Sequence, residues 1–434
     1  MSVKKGLLIA LITSALILAV GVGNVSARLF ELAAASTTAD PHLGGEIVIS
    51  TLDNEQYLPA VAYNWHHDEY LVVWHNTWGG GGRDIYAQRI SSSGELISWF
   101  SITTAALPNS KAQPSVSYDP ANDRYLVAFT YDFDGTGSDW DLYGRFIPWD
   151  GPSASLTEFP ICAWTTHQWN PKVAYAWTQQ EFLVVWANEY QAGSPPMYIS
   201  GRRVKASDGS FPGGTGSDFT ISDGTQNRVN PDVAYNLARN EYLVVYDNAL
   251  DVFATRFTGS AASLAGGEFA IAAWPGAETL PSVDACRETD QYLVAWQNDQ
   301  PDIYTRFISG DGSLDGGPLQ LDSTSIDEIE PQVTCNAAGN QFLAVWQQQF
   351  SSTTGPYGIR GQFVNNDKSL GAVFGIMNPT SGVTAEFTTP AVAGGNVNYL
   401  TVWEHDRAGT FFQDIHGRLI TPYTVFLPLI LRNH

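Results

Sequence analysis

One apolar strand pattern recurs along the chain and limits what it can fold into. The segment EYLVVWHN at 69–76 returns with small changes as RYLVAFTY, EFLVVWAN, EYLVVYDN, QYLVAWQN, QFLAVWQQ and NYLTVWEH. Both alternating sets of side chains in YLVVW are apolar, which predicts a strand buried on both faces. The runs are too short, and too rich in β-branched and aromatic residues, to be helices. The copies lie roughly 50–60 residues apart, the period of a propeller blade.

Three further runs accompany each copy. A run opened by proline precedes it, as in PAVAYN from Pro59; a run such as DIYAQR from Asp84 follows it; and a weaker run such as GGEFAIA closes the unit. The pattern therefore predicts that each unit forms four short strands. GGEIVIS at 44–50 matches the fourth run, whereas the last unit stops after its third. We expect an all-β, seven-bladed propeller of four-stranded antiparallel blades, in which the N-terminal strand pairs into the last blade and closes the ring.

The YLVVW and DIYAQR repeats resemble those of secreted bacterial β-propeller proteins that are related in shape to Kelch and WD40 domains. The resemblance covers roughly residues 44–420 and implies the fold. It implies no single activity, because propellers serve in binding, scaffolding and catalysis alike. The chain has neither a WD dipeptide that recurs at its blade ends nor the Asp-box of sialidases, so no catalytic residue is carried over.

The termini differ from the repeat. Residues 1–27 have a basic start, an apolar core and a small-residue end at VSA, as a secretory signal peptide does. A retained membrane anchor is the alternative, although the apolar stretch is short and interrupted. We expect a linker at 28–43, the propeller at 44–420 and an apolar tail at 421–434. The tail serves either in sorting or surface attachment, or packs across the propeller base. The protein is therefore expected to be secreted or on the cell surface.

The net charge and the cysteine content exclude several classes of protein. The formal net charge of −22 would repel nucleic acid and anionic lipid, and no second segment of membrane-spanning length follows the signal. The three cysteines are too few for a disulfide-dense scaffold. Cys286 and Cys335 lie near the ends of first strands in adjacent blades. They could form a bridge, but the pattern favours two separate buried thiols.

Function is expected where the blades differ, in the loops of one face. The irregular loops there carry aromatic side chains among acidic and amide residues, a combination that suits a sugar ring. Alternatively, the aromatic residues merely cover blade ends. The candidate ligand-binding aromatics are Trp78, Tyr131, Trp164, Trp169, Tyr190 and Phe350, with Phe133 and Phe411 beside them.

Two loops suggest metal binding. Ring closure would bring His75 near Glu404, His405 and Asp406, and two imidazoles with a carboxylate suit zinc, although two exposed polar loops would look the same. We include His75 and His405 among the ligand-binding candidates. The glycine-rich loop with Asp132, Asp134 and Asp139 offers several hard oxygen donors for calcium. It lacks the spacing of an EF-hand, and such turns are also commonly metal-free.

We expect a non-catalytic propeller that binds an extracellular ligand, a glycan, through its variable loop face, with no required cofactor. One alternative is a glycan-active hydrolase or lyase that uses carboxylates such as Asp53 and Glu404. The other is a surface scaffold for a protein partner, which the acidic charge predicts to be basic. No nucleophile motif, phosphate loop or zinc-protease motif is evident.

Overall fold

The computed structural model describes residues 41–422 except 80, 104–108, 134, 138, 154–155, 192–193, 223–225, 262–265, 288, 301, 323, 325, 339–340, 351–354, 380–385 and 407–411. The predicted signal peptide, most of the linker and the tail from 423 onwards lie outside the described residues. Within the described part, no helix is long and apolar enough to cross a membrane.

The described residues form strands in four classes that follow the sequence repeat. The first strands are β2 Glu55–Asn64, β6 Ser110–Asp119, β10 Gln168–Ala176, β14 Val229–Asn236, β18 Glu278–Ala285, β22 Glu328–Cys335 and β26 Phe387–Gly394. The second strands are β3 Glu69–Thr77, β7 Arg124–Asp132, β11 Glu181–Gln191, β15 Glu241–Asp247, β19 Gln291–Asn298, β23 Gln341–Gln349 and β27 Tyr399–Asp406. The third strands are β4 Arg83–Ser91, β8 Trp140–Pro148, β12 Ser194–Lys205, β16 Val252–Thr258, β20 Ile303–Ser309, β24 Tyr357–Asn365 and β28 Gln413–Thr421. The fourth strands are β5 Leu96–Ser101, β9 Phe159–Cys162, β13 Phe219–Thr220, β17 Phe269–Ala272, β21 Leu314–Gln320, β25 Leu370–Met377 and, from the N-terminus, β1 His42–Ser50.

The strands pair into five four-stranded sheets and one eight-stranded sheet. The eight-stranded sheet contains two successive four-strand units, which a single parallel residue pair, Arg83 with Ser110, joins. We call each four-strand unit a blade and number the blades in the order of their first strands. The predicted all-β propeller class is confirmed.

The N-terminal strand belongs to the same sheet as the last three strands. β1 pairs antiparallel with β28, from His42 opposite Thr421 to Ser50 opposite Ile415. The sheet order is β1-β28-β27-β26, so the first and last segments of the described chain complete one blade together.

The first strands surround an axial cavity of about 420 Å³. They contact one another in chain order, and β26 in turn contacts β2. At the end of this axis remote from the loop face, the guanidinium carbon of Arg287 lies 3.4 Å from the ring centre of Trp65 and 4.2 Å from that of Trp177. Cation–π contacts of this kind join side chains of blades 5, 1 and 3.

The second strands are buried on both faces, as YLVVW predicts. In β3, Tyr70, Leu71, Val72, Val73 and Trp74 are at most 1% exposed. Each successive core cluster draws residues from two neighbouring blades, as when Leu71 and Val73 pack with Tyr125 and Val127. The apolar repeat therefore forms the contacts between blades as well as those within them.

Arginines on third strands also join neighbouring blades. Arg306 Nη1 donates to the carbonyl of Ile271, on the fourth strand of the preceding blade, at 3.0 Å. The same contact recurs between other pairs of blades: Arg145 with Ile102, Arg202 with Ile161, and Arg418 with Ile376. These arginines therefore connect neighbouring blades, and Arg306 also donates to the carbonyl of Gly316 in its own blade at 3.1 and 2.9 Å.

Cys286 and Cys335 form a disulfide with a Cα–Cα distance of 5.2 Å. The sequence favoured two separate buried thiols, and that interpretation was wrong. Adjacent first strands bring the two cysteines within bridging distance although Cys286 stands five residues after its proline and Cys335 four, and their spacing along the chain does not reveal this. Cys162 is a buried free thiol.

Every first strand carries a bulge at the residue before its proline. These residues all have a positive φ between 50° and 53°: Leu58, Gln113, Asn170, Asn230, Leu280, Glu330 and Thr389. The register of each first strand with its second strand shifts at this point, for example between Tyr57 and Ala60. Left-handed backbone costs an L-residue roughly 1–2 kcal/mol, and asparagine tolerates it best.

Replacing Leu58 by Asn is therefore expected to raise the free energy of unfolding by about 0.5–1 kcal/mol. Leu58 is 36% exposed, so the apolar burial lost is small. Urea unfolding at constant m-value would measure the change. The matched control is Leu96→Asn, at an exposed strand position without a positive φ, which should destabilise slightly. An equal effect of both substitutions would contradict the assignment of strain to the bulge.

Candidate functional site

A second cavity, of about 500 Å³, opens beside the axis at the loop ends of blades 1, 2, 3 and 7. It lies between the beginnings of first and third strands and the ends of second strands. The side chains that give it chemical character are Glu55, Tyr57, His75, Arg83, Trp140, Trp169 and Glu404. The first four of these side chains belong to blade 1, and the other three reach the same cavity from blades 2, 3 and 7.

Two tryptophans from neighbouring blades form the apolar part of the lining. The ring centres of Trp140, at the start of β8, and Trp169, in β10, lie 5.8 Å apart with a 34° tilt. Trp140 is only 8% exposed and is held firmly. The imidazole of His167 stacks on Trp169 at 4.9 Å. Fixed aromatic faces of this kind can pack against the C–H face of a sugar.

His75 provides a buried polar group in the lining. Its side chain is 5% exposed, and its ring centre lies 5.5 Å from that of Tyr57. Burial, reinforced by the positive charge of Arg83, lowers the pKa of His75 to about 3, so the imidazole is neutral at physiological pH. Burial and the hydrogen bond to Glu55 raise the pKa of Tyr57 to about 12, which keeps its hydroxyl protonated.

Two buried nitrogen atoms at this cavity have no hydrogen-bond partner among the described residues. They are Nδ1 of His75 and Nε of Arg83. An unsatisfied buried donor or acceptor costs about 1–3 kcal/mol. Neither atom is accessible to water in this arrangement, so a ligand hydroxyl group would satisfy them only after the His75 and Arg83 side chains shift towards the cavity that they line.

Glu404 joins blades 7 and 1. Its Oε1 accepts the backbone N–H of Leu58 at 2.7 Å, and its Oε2 accepts the hydroxyl of Thr388 at 3.4 Å. The equivalent residues of blades 4 and 5 make the same contact: Asp247 accepts the N–H of Leu280, and Gln297 accepts that of Glu330, both at 3.0 Å. A contact that recurs in several blades, once through an uncharged amide, belongs to the scaffold.

The ionisation of Glu404 predicts a pH dependence of stability. Burial is the main cause that raises the pKa of Glu404 to about 7. The folded state therefore holds the proton more tightly than the unfolded state. The contribution of Glu404 to the free energy of unfolding is complete below pH ~4.5 and is lost as pH rises towards 7. The free energy of unfolding therefore falls by at most about 1.4 kcal/mol per pH unit on this account.

The variant Glu404→Gln, whose amide mimics the protonated carboxyl, should remove this contribution. Urea unfolding between pH 5 and 7 should show a flatter profile than that of the wild-type chain. Asp53→Asn, at an exposed carboxylate, is the control and should keep the wild-type slope. Identical slopes for wild type and Glu404→Gln would show that Glu404 is already ionised at pH 5.

The structure places the predicted ligand-binding residues in different settings. His75 and Trp169 line the cavity together. Trp78 and Trp164 are 37% and 41% exposed and lie outside its lining. The side chain of Tyr190 lies outside the described residues.

Tyr131 and Phe350 pack within their own blades. Tyr131 is 8% exposed, lies 5.0 Å from the ring of Tyr143 and accepts a hydrogen bond from Asn109. The guanidinium of Arg360 covers Phe350 at 4.7 Å. These two side chains therefore cover blade ends, which is the alternative that the sequence left open.

The proposed pairing of His75 with His405 at a zinc ion does not form. His75 faces Tyr57 in the cavity, whereas the ring of His405 lies 4.3 Å from that of His416. The sequence argument considered only loop residues, and His416 lies within β28.

The predicted calcium loop is organised by backbone hydrogen bonds. The two carboxylate oxygens of Asp132 accept the N–H groups of Gly135 and Gly137 at 3.0 and 2.9 Å. Asp134 lies outside the described residues. Neither Asp132 nor Asp139 belongs to a group of three metal-ligating side chains in the described part of the chain.

Sequence reasoning missed Tyr57, Arg83 and Trp140. Arg83 and Trp140 each directly precede the aspartate that begins a third-strand run, at a position where the other blades carry different residues. That departure from the repeat is the signal that could have identified both residues.

Comparisons with known proteins define the fold class. No protein-family model matches the chain, and no curated protein is detectably similar to it in sequence. Its structure is similar to that of a protein of unknown function from Dyadobacter fermentans DSM 18053, with a TM-score of 0.51 and 11% identity over 88% of this chain and 99% of the other. It is also similar to the Cps50 (Swd1) β-propeller domain of Myceliophteria thermophila, with a TM-score of 0.50 and 9% identity over 87% and 100% of the two chains.

The Hadza microbial sialidase Hz136 matches at a TM-score of 0.48 and 13% identity over 72% of this chain and 66% of the other, a likeness too weak to indicate function. At such identities the comparisons establish the β-propeller fold alone.

Proposed function

We propose that the chain is a secreted, ring-closed, seven-bladed propeller that binds a glycan in the cavity at the loop ends of blades 1, 2, 3 and 7. The ring is supported by the pairing of β1 with β28 and by the contact of β26 with β2. Secretion is supported by the signal-like residues 1–27.

The observation that carries the glycan proposal is the combination of two features in one cavity. Trp140 and Trp169 provide aromatic surface, while His75 and Arg83 provide buried nitrogen atoms without partners among the described residues. A sugar has both an apolar ring face and hydroxyl groups, so it complements both features. A purely apolar ligand would leave the two nitrogen atoms unsatisfied.

Binding without catalysis is supported by the state of Glu404. A glycosidase needs two carboxyl groups free to act on the glycosidic bond. Both oxygens of Glu404 already accept hydrogen bonds from the protein, in an arrangement that other blades repeat. The raised pKa of Glu404 is the one observation that favours the alternative, a hydrolase in which this group is the acid.

A glycan array, probed with the chain lacking residues 1–27, tests the proposal. We expect binding to a defined family of sugars. The same preparation is then incubated with each polysaccharide that contains the bound sugar, and the products are separated by size. Binding with intact polysaccharide supports the proposal. A product ladder that Glu404→Gln abolishes would establish the hydrolase instead, and silence on the array would favour a protein partner.

A further inference from the structure

Three metal-ligating side chains meet in the sheet that contains both ends of the described chain. Glu46 lies on β1, His405 on β27 and His416 on β28. His416 stands opposite Val48 of β1 and Trp403 of β27. Because alternate residues of a strand share a face, Glu46 and His405 lie on the same face of the sheet as His416.

The ligand atoms lie close together. Glu46 Oε1 is 2.7 Å from His416 Nδ1, and His405 Nδ1 is 3.2 Å from the ring nitrogens of His416. One ligand atom from each of the three side chains lies within 4.8 Å of the other two. Ligands at 2.0–2.1 Å from a tetrahedral zinc ion are about 3.3 Å apart, which is close to the separation of the two imidazoles.

In another blade, the residue that corresponds to Glu46 pairs with a positively charged side chain. Glu46 in GGEIVIS corresponds to Glu268 in GGEFAIA. The carboxylate of Glu268 binds the guanidinium of Arg228 through two hydrogen bonds of 3.0 and 2.6 Å. In the blade that contains Glu46, the carboxylate instead faces a pair of imidazoles.

We propose that Glu46, His405 and His416 bind a divalent zinc ion, with a water molecule as the fourth ligand. Two imidazoles and one carboxylate form a donor set that zinc accepts. Glu46 is exposed and His405 is partly exposed, so the ion can reach the site from solvent. The ion would join β1 to β27 and β28 and thereby stabilise the pairing of the N-terminal strand.

This proposal is independent of the glycan proposal. None of the three residues lines the cavity that contains His75 and Trp169. Loss of zinc binding and loss of glycan binding can therefore be observed separately.

The test is calorimetric titration of Zn²⁺ into the chelator-treated chain. We expect one ion per chain and at least a hundredfold loss of affinity in His405→Gln/His416→Gln. Glu46→Gln, on the exposed N-terminal strand, should weaken binding at least tenfold and serves as the second variant if the double variant does not fold. The control is His67→Gln, which removes an imidazole that pairs with Asp123 at 2.8 Å outside the group. It should leave the titration unchanged.

A second readout separates a defined site from adventitious binding to surface histidines. Saturating Zn²⁺ should slow amide hydrogen exchange across β1 in the wild-type chain and leave exchange unchanged in Glu46→Gln. Absence of binding, equal affinity in wild type and both variants, or an equal loss in His67→Gln would each overturn the proposal.

Discussion

Replacing Trp169 by Ala is expected to weaken binding of the array-identified glycan by about 30-fold, because loss of a buried aromatic anchor costs on the order of 2 kcal/mol. Trp169 lines the cavity and lies 5.8 Å from Trp140, so its removal takes away one of two aromatic surfaces. Calorimetry with the purified glycan would measure the change in Kd. Thermal unfolding of the same samples would show whether the fold is preserved.

The matched control for this prediction is Trp164→Ala. Trp164 precedes the same first strand but is 41% exposed and does not line the cavity. Its removal should change Kd less than threefold. A larger loss in Trp164→Ala than in Trp169→Ala would move the binding surface from the cavity to the exposed rim.

Removing the disulfide is expected to lower the free energy of unfolding by about 4 kcal/mol. Cys286 and Cys335 are separated by 49 residues, and a cross-link of that length restricts the unfolded chain considerably. The double variant Cys286→Ala/Cys335→Ala should therefore unfold at lower urea concentration than the oxidised wild type. The lost cross-link connects blades 5 and 6.

The control for the disulfide prediction uses the remaining cysteine. Burial raises the pKa of the Cys162 thiol to about 12, which makes it a poor nucleophile for exchange. Reductant should therefore destabilise the wild type and Cys162→Ala by similar amounts and leave Cys286→Ala/Cys335→Ala unchanged. A wild-type chain whose urea midpoint is insensitive to reductant would contradict the bond.

The fold could be predicted because its determinants repeat. YLVVW specifies a strand buried on both faces wherever it occurs, and GGEIVIS at 44–50 shows that the missing strand of the last blade comes from the other end of the chain. The bulges before the prolines were not foreseen. At each bulge the pairing of the first strand with the second strand shifts in register, as it does between Tyr57 and Ala60.

Only part of the candidate site was predicted from the sequence, because the site forms where residues of several blades come together. His75 and Trp169 are distinctive in sequence, but nothing local indicates that Trp140 and Arg83 share their cavity. Burial also separates similar candidates: Tyr131 and Trp169 look alike as loop aromatics, yet Tyr131 packs within its own blade.

The metal group illustrates a signal that was present but not used. His416 in DIHGRLI occupies the position of Tyr86 in DIYAQR and of Tyr304 in DIYTRF. A histidine in place of a repeated aromatic residue is a departure from the scaffold. Its partners Glu46 and His405 became apparent only when β1 was paired with β28.

We propose that the ligand lies in the cavity lined by Trp169 and His75, and a crystal structure of the chain with its array-identified glycan would show whether it does. We expect a sugar ring packed on Trp169 or Trp140, with hydroxyl groups within hydrogen-bond distance of His75 Nδ1 and Arg83 Nε after these side chains shift towards the cavity. A glycan bound elsewhere, with these two nitrogen atoms still buried and without a partner, would refute the proposal.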